Sequence, residues 1–280
     1  MKRKIDPNKP KIKIPFGRKY IETKEIVRKH NLHTICESGN CPNLAECWTA
    51  GTSTFMILGD ICTRACKFCS VKTGKPLAVD NKEAEKIANS VSLMRLKHCV
   101  ITSVDRDDLE DKGAGFWANV IATIQKENPN TTIETLIPDF DAKEELLNQI
   151  IKVKPEVVSH NMETVERLTP EIRSRAKYRR SLLVLKYLAQ NGIVTKSGIM
   201  LGLGEKHDEI LQVMDDLLNV NCKIITVGQY LQPTKDNIAV QNFITEDYFL
   251  ELKNIALEKG FRFVESGSLI RSSYHAENHV

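Results

Sequence analysis

Six short apolar, partly β-branched runs recur between residues 52 and 231, and segments of helical period separate them. The runs are TSTFMIL (52–58), CVITSV (99–104), TTIETLI (131–137), EVVSH (156–160), TKSGIML (195–201) and KIITVGQYL (223–231). In HDEILQVMDDLLNV, Ile210, Val213, Met214, Leu217 and Leu218 share one helical face. KEELLNQIIKV (143–153) and SLLVLKYLAQNG (181–192) read the same way, the latter stopped by Gly192. Strand–helix units of roughly 30 to 40 residues imply parallel strands with right-handed crossovers. After nearly every run stand unusual polar residues: CTRACKFC, DRDD (105–108), Pro138 with Asp139, His160 with Asn161, GLGE (202–205), and Tyr230 with Gln232. Chemistry collects at the carboxyl ends of parallel strands. Contributions from all six strands fit a barrel mouth better than one crevice. The expected fold is therefore α/β, a partial (βα)6 TIM-like barrel spanning 52–260.

Composition excludes several partner classes. The 280 residues are 41% hydrophobic and 27% charged, enough apolar surface for a sizeable core. A net charge of +4 is too small to argue for nucleic acid, and no aromatic–basic interleaving suggests RNA stacking. No run approaches the ~18 apolar residues that span a bilayer. The opening MKRKIDPNKPKIKIP is Lys-rich without an apolar core, so it reads as a flexible basic arm and not a secretory signal. No nucleic acid, no membrane and a cytoplasmic, reducing setting are the expectations.

Six of the eight cysteines fall between residues 36 and 69, and in a reducing compartment ligation outranks disulfides. Cys62, Cys66 and Cys69, at C-x3-C-x2-C, let one short loop wrap a four-iron cubane, each thiolate binding one iron. The fourth iron then has no nearby protein ligand, and an open coordination site is a reactive one. The alternative is a three-cysteine zinc site completed by a distant histidine. Cys36, Cys41 and Cys47, at C-x4-C-x5-C, form a second set of three. Cys99 and Cys222 stand near strand starts and read as small buried apolar residues. Trp48 and Trp117 read as packing residues, and His160 as a hydrogen-bonded structural histidine.

C-x3-C-x2-C after the first strand of an incomplete barrel, with Phe68 before the last cysteine, resembles the radical S-adenosylmethionine superfamily. There the amino and carboxylate groups of S-adenosylmethionine chelate the unique iron. The preceding C-x4-C-x5-C narrows the likeness to the lipoyl synthase family. LHTICESGNCPNLAECW, GTSTFMILGDICTRACKFC, ITSVDRDDL, ETLIPDF, HNMETVERL, KSGIMLGLGE, TVGQYLQP and RSSYHAE resemble that family's segments in its order, over almost the whole chain. ESGN between Cys36 and Cys41, and Ala65 with Lys67 beside Cys66, depart from the family's commoner residues without removing a ligand.

The resemblance implies two 4Fe-4S clusters, with S-adenosylmethionine as cosubstrate at the one held by Cys62, Cys66 and Cys69. Ser273 of RSSY would complete the auxiliary cluster of Cys36, Cys41 and Cys47 as a detachable oxygen ligand. An N-terminal extension (1–51) would then carry the auxiliary cysteines, and a C-terminal tail (261–280) would fold back over it, both covering the barrel mouth. The implied reaction is radical insertion of two sulfur atoms, at carbons 6 and 8 of an octanoyl group on a carrier-protein lysine. Two S-adenosylmethionine are consumed per lipoyl group, yielding methionine and 5′-deoxyadenosine, and the auxiliary cluster is the sulfur donor. Implied partners are octanoylated carriers (glycine-cleavage H protein, 2-oxoacid dehydrogenase acyltransferase subunits), a low-potential electron donor and a cluster-rebuilding carrier. Ser103 and Asp105 are expected at the amino end of the cosubstrate. Asn161, Lys196, Gly202 and Gly204 are expected at its carboxylate, ribose or adenine. Arg271 would orient the serine loop or meet the substrate carbonyl. Read without the family, GLGE is an ordinary strand-to-helix turn and DRDD a capping and salt-bridge cluster. Two other readings compete: a sulfur-inserting radical enzyme acting on a small molecule such as dethiobiotin, and a zinc-stabilised binding module without catalysis.

Overall fold

The structure, a computed structural model, describes residues 6–12, 17–50 and 52–280, so much of the expected basic arm lies outside the described residues. Seven parallel strands form one sheet: β1 (Thr54–Ile57), β2 (His98–Ser103), β3 (Thr132–Leu136), β4 (Val157–Ser159), β5 (Val194–Leu201), β6 (Ile224–Gln229) and β7 (Phe263–Gly267). Each pairs with its neighbour in chain order, without the reversal that defines a doubly wound sheet. β1 and β7 are not paired with each other, and the two-residue strand His33–Thr34 runs antiparallel along the free edge of β1. That is a partial barrel.

β7 goes beyond the six expected strands. The helix Glu246–Lys259 leads into it and Gly260, at φ 108, ends that helix, so the sheet continues to Gly267 where the tail was expected to begin at 261. Its five residues, FVESG, carry only two apolar side chains. As an edge strand it buries little, and so lacks the apolar run that marks the others.

Two packed clusters flank the sheet. One gathers Trp48, Trp117, Phe55, Phe140 and Ile121 around β1 to β3, the other Tyr230, Phe249, Met214 and Leu201 around β5 to β7. Cys99 and Cys222 are fully buried among them. No helix among the described residues is long and apolar enough to cross a membrane.

After β7 the chain turns back across the N-terminal segment and is held at four points. Asn43 Nδ2 donates to the Leu269 carbonyl at 2.6 Å, and Asn161 Nδ2 to Ser272 Oγ at 2.7 Å. The Tyr274 hydroxyl donates to Glu46 Oε1 at 2.6 Å, and His279 Nδ1 lies 3.2 Å from Lys196 Nζ in the barrel interior.

His160, at the end of β4, is enclosed with both ring nitrogens engaged. Nδ1 lies 2.9 Å from the Ile137 carbonyl and Nε2 2.9 Å from Ser181 Oγ, which also accepts from Arg173 Nη1 at 3.0 Å. A carbonyl only accepts, so Nδ1 carries the proton and Nε2 accepts from Ser181. Burial, then the charge of Arg173, pushes the imidazole down to about 4. As the pH falls, the unfolded chain binds the proton first, near 6.5. The stability of neutral His160 is thus complete above about pH 6.5 and is lost as the pH falls toward 4. The Tm of the metal-free protein should drop over that interval, and the drop should shrink in His160→Gln. An unchanged pH profile in the variant would exclude this source.

Candidate active site

The loop after β1 is shaped by its own hydrogen bonds. Ile61–Cys62 pairs in parallel with Lys72–Thr73, closing the loop at its base. Inside it, Cys69 N donates to the Cys66 carbonyl at 3.1 Å, while Arg64 N and Asp105 N lie 3.4 and 3.3 Å from Cys62 Sγ. The Arg64 side chain ties the loop to two strand ends. Nε and Nη2 grip the two oxygens of Asp107 at 2.8 and 2.9 Å, Nη2 reaches Asp139 at 2.8 Å, and Nη1 stands 3.3 Å from Asp105. Burial alone would raise the Asp139 carboxyl, but the Arg64 hydrogen bond and charge outweigh it and hold the group down at about 2. Asp105 has weaker compensation, and burial pushes it up to about 6.

Cys62, Cys66 and Cys69 line a first cavity of about 240 Å³, together with Ser103, Asp105 and Asn161. Ser103 Oγ accepts from Trp117 Nε1 at 3.2 Å, which fixes the indole as well as the rim.

The other three thiols meet at a second cavity of about 110 Å³. Thr34 caps the turn Ile35–Ser38 that carries Cys36, Cys41 N donates to the Cys36 carbonyl at 3.0 Å, and Cys47 sits on the helix Leu44–Ala50. The tail brings Arg271, Ser273 and Tyr274 to the same space, more than 220 residues later in the chain. Burial lifts Cys36 to about 11 and Cys47 to about 12, the nearby thiols adding to it. Burial and the Asp105 charge lift Cys62 to about 12 as well. Thiols so placed ionise readily only against a bound cation. Among the described residues no three His, Cys, Asp or Glu side chains close on a point fit for one ion. Each triad borders one of the two cavities.

A third, central cavity of about 220 Å³ is lined by members of both triads, Cys36 and Cys41 of one and Cys69 of the other, together with Phe68 and Ser273. Its walls are largely apolar, with Leu136, Ile199, Met200, Tyr230 and Ile270. Ser70 Oγ donates to the Ser38 carbonyl at 2.8 Å, linking the two cysteine loops directly.

Of the residues expected at the cosubstrate, Ser103, Asp105 and Asn161 stand at these cavities, Asn161 at both the first and the central one. Lys196 does not. It is fully buried in the barrel interior, where Nζ meets Glu134 Oε1 at 2.7 Å, and it borders none of the three cavities. Gly202 and Gly204 lie in a tight turn, both at φ +103, whose Gly202 and Leu203 amides donate to the Glu205 carboxylate. A Cβ on Gly202 would strike Gln229 and the Asn242 carbonyl. These glycines shape a turn and also miss the cavities. DRDD is a salt-bridge cluster in which Arg106 grips Asp108 and Arg64 grips Asp107, while Asp105 faces the first cavity.

Glu163 was not singled out from the sequence. It borders both the first and the central cavity, at φ +67, with its backbone bridged to Gly198 and Met200. Burial raises its carboxyl. A long side chain held in the left-handed region costs energy. Its one sequence signal was an acid three residues beyond the β4 run.

Comparison with known proteins follows the same lines. Residues 56–217 match the family model of the radical SAM superfamily. Among solved structures, methylornithine synthase superposes with TM-score 0.58 at 12% identity, over 79% of this chain and 73% of that one. Streptococcus suis SuiB bound to S-adenosylmethionine gives 0.60 at 14%, over 91% and 58%; at such identities the likeness is one of fold. A lipoyl synthase of Christiangramia forsetii is 57% identical over 99% of this chain and 95% of its own length. The mitochondrial lipoyl synthase of Nematostella vectensis is also 57% identical, over 98% and 96%. With a parallel partial barrel, three cysteines on the loop after its first strand, and these relatives along its whole length, the chain belongs to the lipoyl synthase family of the radical SAM superfamily.

Proposed function

We propose that the two thiol triads divide the work of a lipoyl synthase between them. Cys62, Cys66 and Cys69 hold a four-iron cluster whose open iron takes S-adenosylmethionine, and Cys36, Cys41, Cys47 and Ser273 hold the auxiliary cluster. The observation that carries this reading is the central cavity, lined by members of both triads. When bound, these groups supply reductive cleavage of S-adenosylmethionine at the first site and sulfur at the second.

The chain's own part is positioning. Arg64 holds the first cysteine loop against the barrel mouth, and the Ser70–Ser38 bond sets that loop beside the second. Ser103, Asp105, Asn161 and Glu163 offer polar atoms to the cosubstrate, with Asp105 suited to its ammonium group. Leu136, Ile199, Met200 and Ile270 keep water and stray hydrogen donors from a reacting acyl chain. Residues 1–51 act as the auxiliary-site arm and the segment after β7 as its lid. The substrate is an octanoyl-lysine arm on a carrier, either glycine-cleavage H protein or a dehydrogenase acyltransferase subunit, with a low-potential electron donor, a cluster-rebuilding carrier and a cytoplasmic setting.

Anaerobic reconstitution should give a brown protein with about eight irons and eight sulfides per chain. With octanoyl-lysine peptide, a single turnover should yield 5′-deoxyadenosine, a monothiolated intermediate and lipoyl product, and dethiobiotin should remain unchanged. A colourless zinc protein, or thiolation of dethiobiotin, would refute the proposal.

A further inference from the structure

Among the described residues, Arg271 is the one basic side chain that lines both the auxiliary and the central cavity. Its place is imposed by close packing. Gly228, near the end of β6, lets the tail press against the barrel: a Cβ there would collide with the Ile270 carbonyl and come within 3.3 Å of Arg271 Nη1. The guanidinium donates to that same carbonyl at 2.6 Å. Glu46 and Glu277 line the auxiliary cavity and Glu134 and Glu163 the central one, yet among the described residues no carboxylate stands within ion-pair distance of the guanidinium. A guanidinium has five N–H donors and a permanent charge, and holding that charge in a protein cavity without an anion is costly.

Three thiolates and an alkoxide bring more negative charge than a four-iron core carries positive, and the net charge of such a site governs its potential. The unpaired cation and the surplus of anions face the same small cavity. We propose that Arg271 is a positioning residue that balances charge at the auxiliary site. Its guanidinium offsets the negative charge gathered by Cys36, Cys41, Cys47 and Ser273, setting the potential there and slowing loss of the serine-held iron. The inference rests on the reading of that triad as a cluster site. It assigns Arg271 to the cluster side of the cavity and not to the substrate carbonyl, because a neutral carbonyl leaves the charge uncompensated.

The test compares two-cluster holoenzyme carrying Arg271→Met or Arg271→Lys with the parent, by redox titration followed by electron paramagnetic resonance and by iron release to a chelator. S-adenosylmethionine alters the signal of the first cluster alone and so separates the two. Arg271→Met should move the auxiliary potential to a more negative value and speed its iron loss about tenfold, the size expected for an outer partner of a metal ligand. Arg271→Lys should restore most of both, and the first cluster should be unchanged. Gly228→Ala, whose Cβ would push away the Ile270 carbonyl that holds the guanidinium, should shift both readouts in the same direction as Arg271→Met. Arg271→Gln serves as the neutral variant if the methionine form does not fold. Unchanged potential and release rate in the neutral variant would overturn the inference, and a raised KM for octanoyl-lysine peptide would then assign Arg271 to the substrate. Equal defects in the lysine and neutral variants would also overturn it. A parent with about four irons and no auxiliary signal would sink the cluster reading first, and this inference with it.

Discussion

Ser273→Ala should abolish lipoyl product while 5′-deoxyadenosine still forms. The substitution removes one hydroxyl from a tail that is pinned on either side, by Asn161 to Ser272 and by Tyr274 to Glu46. The tail therefore stays in place, and the effect reports the oxygen alone. In the proposed ligand set the Ser273 alkoxide is a harder donor than the thiolates and less suited to the cluster's soft bonding. Its loss should leave the first cluster's spectrum and S-adenosylmethionine cleavage intact and reduce product by more than about 100-fold, beyond the usual effect of an outer partner. Near-normal product formation would remove Ser273 from the ligand set.

Arg64→Leu should destabilise the metal-free protein by about 3–5 kcal/mol, the usual effect of removing one member of a buried ion pair. Arg64 is 4% exposed at its side chain and meets Asp139 at 0% and Asp107 at 7%. Without the guanidinium, Asp139 keeps Arg180 at 3.3 Å and the Asp141 amide at 3.2 Å, and Asp107 keeps Lys112 at 3.2 Å, the Thr63 hydroxyl at 3.3 Å and the more distant Arg175. Urea denaturation measures the loss, and Arg64→Leu/Asp139→Asn should regain part of it by removing the stranded charge. The first cysteine loop is the one that Arg64 holds, so reconstituted Arg64→Leu should keep the auxiliary cluster and lose the first. A variant as stable as the parent, with both clusters, would show that the network is incidental.

Much of this was legible because it is local. The six apolar runs coincide with β1 to β6 within a residue or two at each end, since side-chain period and turn residues act over a few positions. β7 escaped because an edge strand with two apolar residues has no such signature. The cysteine spacings mark loops able to encircle a cluster, for the same local reason.

Other features had no local signal. Lys196 stands on β5 in a segment that resembles its family, yet its direction into the barrel, toward Glu134, depends on strand register. Glu163 depends on a backbone bridge to Gly198 and Met200 that no neighbouring residue announces. The Arg64 network joins positions 64, 105, 107 and 139, which only the order of strands brings together.

What the amino-acid order determined alone was the barrel's alternation, the two triads and the count of ligands each lacks, because helical and strand periods and short loops are set by neighbouring residues. What tertiary structure decided was adjacency. Ser273 lines one cavity with Cys36, Cys41 and Cys47, members of both triads line a second, largely apolar one, and Arg271 lines both. Such contacts between distant positions arise when the parallel sheet curls into its partial barrel and the tail packs across it, so burial over the whole chain fixes them.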